Sequence, residues 1–236
     1  MKAFHDDKKI QEKYLLRLEE HYKLDEIIKG QYWEDGKGCA VGCLLHSDNH
    51  SRFPIELGWP EWLGRLIDTL FEGVPNDKSK EFPLKLYRSI PLGFDNWQHI
   101  YHQLCVFMLE KICKNTDNEI VVKAICDVIT LHKTESKDES AWSATRSAAR
   151  SAESAAWSAD ESAARSAARS AAWSADESAA RSAESAARSA ARSAAWSADE
   201  SADESAARSA AWSADESAAY YDISEKLIDL FYKSSK

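Results

Sequence analysis

Beyond Gly93 the chain contains no glycine and no proline: all eight Gly and all five Pro of its 236 residues lie at or before that position. Sandwiches, barrels and doubly wound sheets need turn residues throughout, so the C-terminal half belongs to none of them. Long apolar runs are also missing. Nothing approaches the ~18 consecutive apolar residues of a membrane span. The opening residues, Met1 to Tyr14, are charged and lack the apolar core of a secretory signal. Cysteine is sparse and odd in number, at 39, 43, 105, 113 and 126, without the spacing of a disulfide framework. A reduced, cytoplasmic protein follows as the expectation. An excess of basic charge is absent too. With 30 basic against 39 acidic side chains the net charge is −9, which argues against nucleic acid or an anionic membrane as partner.

Three zones separate by composition: residues 1–139, an ordinary globular mixture; residues 140–220, a tandem repeat; and residues 221–236, an amphipathic tail. The first zone reads as helices. Apolar spacing predicts one from Asp7 to Lys29, closed by Gly30, and one after Pro60 that stops at Gly73. A third runs from Asn76 towards Ser89, with a kink or break at Pro83. Asp95 with Gln98 resembles a capping box for a helix carrying Ile100, Tyr101, Leu104, Met108 and Ile112. Another spans Glu119 to His132, with Ile120, Val121, Ala124, Ile125, Val128 and Ile129 on one face. Tyr32–Gly38, with its Asp-Gly turn, is the one place for a short hairpin.

The second zone repeats Ser-Ala-X-X, where the variable pair is almost always built from Ala, Arg, Trp or Asp-Glu. Ala, Arg and Glu favour helix, and Ala suits strands poorly, which places a β-solenoid behind helical readings. On one continuous helix Glu161 faces Arg165, Glu177 faces Arg181, Glu184 faces Arg188 and Glu204 faces Arg208, each pair in the favoured orientation. Such a helix would be about 120 Å long. Its small-residue stripe would need a partner helix, from the same chain or another copy. A competing reading comes from Trp-Ser-Ala-Asp-Glu, which recurs at Trp157, Trp173, Trp196 and Trp212 with a capping-box pattern each time. It would mark successive short helices stacked into a compact solenoid. The lack of turn residues favours the long helix or coiled coil. In the tail, Ile223, Leu227, Ile228 and Phe231 share a helical face that should cap the repeat or dock on the first zone.

Candidate chemistry concentrates in Gly36-Lys-Gly-Cys-Ala-Val-Gly-Cys-Leu-Leu-His46. Cys39, near a helix start and beside Lys37, is placed where a thiolate is stabilised, with His46 as a candidate base for a hydrolase or transferase. The bland alternative makes Cys39 and Cys43 small buried residues and the glycines points of close packing. Cys39, Cys43, His46 and His50 also have metal-ligand types, although on one helix they spread about 16 Å, too far for one tetrahedral ion. Gly36, Lys37 and Gly38 before a helix could hold a small anion or nucleotide phosphate on backbone N–H groups, without forming a Walker A motif. In the repeat, Trp157, Trp173, Trp196 and Trp212 with Arg165, Arg181 and Arg208 form the candidate surface. Single-stranded nucleic acid is not expected there, because 12 acids accompany 8 Arg.

Tyr32 through His46, and Pro60 through Asp77, followed by a Ser-Ala-Ala-Trp/Arg tail, resemble an uncharacterised bacterial and bacteriophage protein family. The resemblance implies an intracellular prokaryotic or phage setting, and it carries no activity or functional residues. The expected architecture is therefore all-α, a helical head with a repeat tail and a capping helix. The leading functional expectation is a non-enzymatic, self-associating protein without a cofactor, forming a homo-oligomer through the repeat. An anion- or nucleotide-binding module in phage–host conflict and a Cys39-dependent enzyme are the alternatives.

Overall fold

The computed structural model describes residues 1–47, 49, 51–158, 162–175, 187–188, 191 and 205–234. Among them the chain is all-α apart from one two-stranded hairpin. No described helix is long and apolar enough to cross a membrane. The chain divides into two compact units, Met1–Ile100 with Ser224–Lys236, and Tyr101–Ile223.

The first unit begins with a tight turn over Ala3–Asp6 in which Phe4, His5 and Asp6 all take positive φ, between 54° and 61°. Three consecutive non-glycine residues in this region are costly, roughly 1–2 kcal/mol each. The burial of Phe4 offsets that cost. Its ring sits 5.6 Å from Trp59 and 5.2 Å from Tyr87, fully enclosed. Phe53 stacks on Trp59 at 5.8 Å, and Tyr87 donates its hydroxyl to the Gln11 carbonyl at 2.8 Å. This aromatic cluster is the core of the unit.

Helix α1 covers Lys8–Lys23, with Asp7 capping the Lys9 N–H. It ends six residues earlier than the apolar pattern predicts. Asp25 turns the chain by adopting φ 58°, and Ile27 leaves the helix to form a bridge with Gly38. Strands β1 (Trp33–Glu34) and β2 (Lys37–Gly38) form the expected hairpin about Asp35-Gly36, whose φ values are 50° and 82°. Helices α2 (Ala40–Leu45), α3 (Arg52–Leu57) and α4 (Glu61–Gly73) follow. The sequence gives no period long enough to announce α3. The predicted third helix divides into α5 (Asn76–Ser79) and α6 (Glu81–Ser89). The break falls at Lys80, not Pro83, which occupies the first turn of α6 where its missing N–H costs nothing.

Helix α7 (Trp97–Ile112) and helix α8 (Glu119–Lys133) match their predicted spans closely. Asn118 caps α8 by accepting from the N–H groups of Ile120 and Val121. Ile120 departs from the predicted buried face and is 61% exposed.

The repeat corrects the continuous-helix expectation. Helix α9 (Glu139–Ser158) and helix α10 (Ser162–Ser174) are separate and pack on one another and on α8. Glu153 accepts from Arg169 Nε at 2.7 Å and Nη2 at 2.6 Å. These two residues are equidistant from position 161, so the helices pair antiparallel. Ala149, Ala152 and Ala156 of α9 and Ala164, Ala167, Ala168, Ala171 and Ala172 of α10 are buried. Small side chains let two backbones approach, and here the same chain supplies the partner helix. Serine hydroxyls of α9 bond back to carbonyls four residues earlier, as Ser147 does to Ser143 at 3.0 Å.

Helix α11 (Ser205–Ser234) runs without interruption through Trp212-Ser-Ala-Asp-Glu216, the string that at Trp157 and Trp173 coincides with a helix end. Its C-terminal part belongs to the first unit. There Phe231, fully buried, meets Phe94 at 5.4 Å and Trp97 at 5.8 Å. The tail thus docks on the head, as its apolar face suggests.

Candidate functional site

The residues singled out in the sequence converge around the start of α2. Gly38 lies between two neighbours: its N–H donates to the Glu26 carbonyl at 3.0 Å and its carbonyl accepts from Ile28 at 2.8 Å. Cys39 N–H donates to the Gln31 carbonyl at 2.7 Å and the Tyr32 carbonyl at 3.2 Å. The Tyr32 peptide lies in a notch between Gly38 and Gly42. A β-carbon on Gly42 would stand 2.8 Å from the Tyr32 carbonyl carbon and closer still to its oxygen. The glycines therefore serve close backbone approach.

These contacts bear on the anion reading. The N–H groups of Gly38 and Cys39 are engaged by carbonyls, and Gly42 N–H donates to Cys39 Sγ at 3.4 Å. Lys37 is exposed on the hairpin. A cavity of about 230 Å³ does adjoin this region, lined by Gly30, Gln31, Tyr32, Cys39, Asp68 and Glu72. Neither Gly36 nor Lys37 lines it, and its charged walls are acidic. The Glu72 carboxylate accepts from Gly30 N–H at 3.1 Å, and burial pushes its pKa up.

Cys39 caps α2 as the sequence suggests, yet its thiol is not activated. Only 1% of the residue is exposed, and burial first, then the Asp68 carboxylate, overcome the Gly42 and Val41 N–H groups and push its pKa up to about 12. Cys43 is likewise pushed to about 12 by burial, and its Sγ donates towards the Gly38 carbonyl at 3.3 Å. A thiolate stabilised at a helix start requires exposure to the helix field without this desolvation. Both cysteines are held as thiols.

His46 has a different partner from the one its sequence neighbourhood suggests. It closes α2 in the left-handed conformation, φ 52°, donating its N–H to the Gly42 carbonyl at 2.7 Å. Its Nε2 faces His21 Nε2 at 2.8 Å, and His21 Nδ1 faces Glu26 Oε2 at 2.7 Å. The Trp33 indole stacks on the His46 ring at 4.4 Å and 12°. His21 is 8% exposed while His46 remains open to solvent. Burial, the Arg17 guanidinium and His21 lower the His46 pKa to about 4, against a smaller opposing effect of Glu56. Arg17 itself is fixed by a 2.9 Å bond to the Leu44 carbonyl and by lying over the Tyr14 ring. Tyr14 donates to Glu56, which also pairs with Arg52.

The result is a carboxylate–imidazole–imidazole chain, Glu26–His21–His46, with its last member at the surface. His21 and Glu26 escape sequence reading because they straddle a helix end 20 to 25 residues before His46. Only the Asp25 reversal brings them there. The second unit holds another imidazole pair: His102 Nδ1 and His132 Nδ1 are 2.9 Å apart, both buried, with the Trp142 ring 4.9 Å from His132.

No group of three or more potential metal ligands occurs among the described residues. His50, one of the candidate ligands, lies outside them. In the repeat, Arg165 is half-buried on α10. Trp157, Trp173, Trp212 and Arg208 lie on described helices, but their side chains are outside the described residues, as are Trp196 and Arg181 altogether. The expected ion pairs at Glu161, Glu177, Glu184 and Glu204 fall there as well.

Comparison with models of protein families, with curated proteins and with solved structures gives no match.

Proposed function

We propose that the protein is a non-enzymatic interaction protein that associates with further copies of itself through its repeat. One observation supports this reading: α9 and α10 bury complementary small-residue faces against each other, with Arg169 and Glu153 pairing across them. A tandem unit that packs on its neighbour carries a surface suited to more of the same unit, and a second chain offers that surface. In this reading the head anchors the repeat, and the Arg, Asp and Glu side chains of its outer faces meet solvent or a protein partner. A reduced cytoplasm in a bacterial or phage setting belongs to the same proposal.

Neither alternative gains comparable support. The N–H groups available to an anion are engaged at Gly38 and Cys39, and the Cys39 thiol is buried and protonated. Multi-angle light scattering of the full chain at micromolar concentration is the test. A mass above the monomer is expected. A compact monomer with the repeat intact refutes the reading.

A further inference from the structure

The Glu26–His21–His46 chain has the arrangement of an activated nucleophile: a reacting group, a base in hydrogen-bond reach, and a carboxylate orienting that base. Its hydrogen-bond directions follow from chemistry. Glu26 accepts, so His21 Nδ1 carries the proton and donates. Neutral His21 then offers a lone pair at Nε2, and His46 Nε2 donates to it. In that tautomer the lone pair of His46 lies on Nδ1. Nδ1 has no hydrogen-bond partner among the described residues, and His46 is exposed. Trp33, stacked on one face, holds the ring plane and directs an incoming group to its edge.

The charges nearby select the kind of electrophile. Arg17 is the cation beside the ring, held by its 2.9 Å bond to the Leu44 carbonyl two residues before His46, and it favours incoming negative charge there. A neutral acyl donor would gain nothing from Arg17, whereas a phosphoryl group would.

We propose that His46 is a phosphoryl-accepting nucleophile, with His21 as its base and Glu26 as the positioning carboxylate. The donor is a small activated phosphate of the acyl phosphate or phosphoramidate class. The lone pair of His46 Nδ1 forms the N–P bond as the bond from phosphorus to the leaving group breaks, and the leaving group departs with that electron pair. The Nε2 proton of His46 passes to His21 Nε2. The imidazolium formed on His21 is stabilised by Glu26, and His46 is left as a neutral phosphoimidazole. The low basicity of His46 keeps it unprotonated throughout the neutral range, so no proton competes for Nδ1. This inference stands apart from self-association: it uses residues of the first unit alone.

The test is incubation of the folded full chain with potassium phosphoramidate, followed by peptide mapping under conditions that preserve phosphohistidine. Exposed His5, whose Nε2 contacts the Ile55 carbonyl at 2.9 Å, is an internal comparator in the same sample. Labelling of His46 about tenfold or more faster than His5 is expected, given what a positioned base contributes. Glu26→Gln and His21→Gln should abolish that preference, and Glu26→Asp should restore part of it. Equal rates at His46 and His5 in the wild type overturn the proposal without reference to any variant. So does a preference for His46 that survives both Gln substitutions.

Discussion

Substituting Gly42 by Ala sets two physical effects against each other, and they predict opposite signs. Gly42 lies inside α2, where replacing glycine by alanine ordinarily stabilises by roughly 0.5–1 kcal/mol. In the notch, however, the new methyl would stand 2.8 Å from the Tyr32 carbonyl carbon and 3.3 Å from Trp33 Cβ. The Tyr32 peptide must retreat. That motion strains the 2.7 Å and 3.2 Å bonds from Cys39 N–H to the Gln31 and Tyr32 carbonyls. A buried N–H left without a partner costs about 1–3 kcal/mol, and overpacking adds about 1–3 kcal/mol. After subtraction of the helix gain, a net loss of roughly 3 kcal/mol is expected. With a urea m-value of about 3 kcal/mol/M, the midpoint falls by about 1 M. Urea titration followed by tryptophan fluorescence reads this, since Trp33 borders the notch. A Gly42→Ala midpoint equal to or above the wild type, at unchanged m, refutes the notch argument. Gly38→Ala, with its β-carbon 3.0 Å from the Tyr32 carbonyl carbon, should be destabilising too, without any helix gain to offset it.

Further outcomes follow from the same structure. Ala168→Leu places a larger side chain at a fully buried position of α10 and should lower stability by about 1–3 kcal/mol; thermal melts showing no loss would remove the intrachain packing account of the repeat. The His46 pKa is lowered from its ordinary 6.5 to about 4. The unfolded chain therefore takes up a proton on this residue before the folded one does. This contribution to stability is intact above about pH 7 and declines as pH falls towards 4. His46→Asn should flatten the acid limb of the stability–pH curve between those values; an unchanged limb contradicts the assignment. A thiol probe on the native protein should label exposed Cys126 well before buried Cys39 and Cys43. Burial and the neighbouring Cys126 push the Cys113 pKa up, and because the two thiols are neighbours mild oxidation with diamide should join them, as non-reducing peptide mapping would detect. Equal labelling of Cys39 and Cys126 would show that the α2 start is open.

What could be read in advance depended on how local the signal was. Apolar spacing announced α1 and α8, and the structure adds Asp7 and Asn118 as their caps, each acting within three residues. Asp35-Gly36 announced the hairpin, again from a local signal. The glycines at 38 and 42 were visible, but not the peptide they admit, since Tyr32 reaches them only after the chain turns at Asp25. The Glu26–His21–His46 chain depends on that turn too, so no spacing rule connects its members. Phe4 to Asp6 adopt positive φ against their local preference, and only the distant rings of Trp59 and Tyr87 make that conformation worthwhile. In the described part of the repeat, helix propensity correctly gave helix. The break between α9 and α10 falls at Trp157-Ser-Ala-Asp-Glu161, the string that the competing reading took to mark successive short helices, and propensity alone gave no weight to it.

The pentapeptide that begins at Trp157 coincides with the end of α9, while an identical one at Trp212 is carried inside α11. The same word is thus read in two ways, and its meaning is assigned by what packs beside it. Copying or deleting a unit preserves the reading frame and shifts helix phase by only about 40°. A lineage carrying such a gene could therefore explore new arrangements of the same helices through copy number alone, leaving the head under separate selection. Close relatives are expected to differ in unit count more readily than in the residues around the Gly38–Gly42 notch, and sequencing of closely related strains would show which part of the chain drifts.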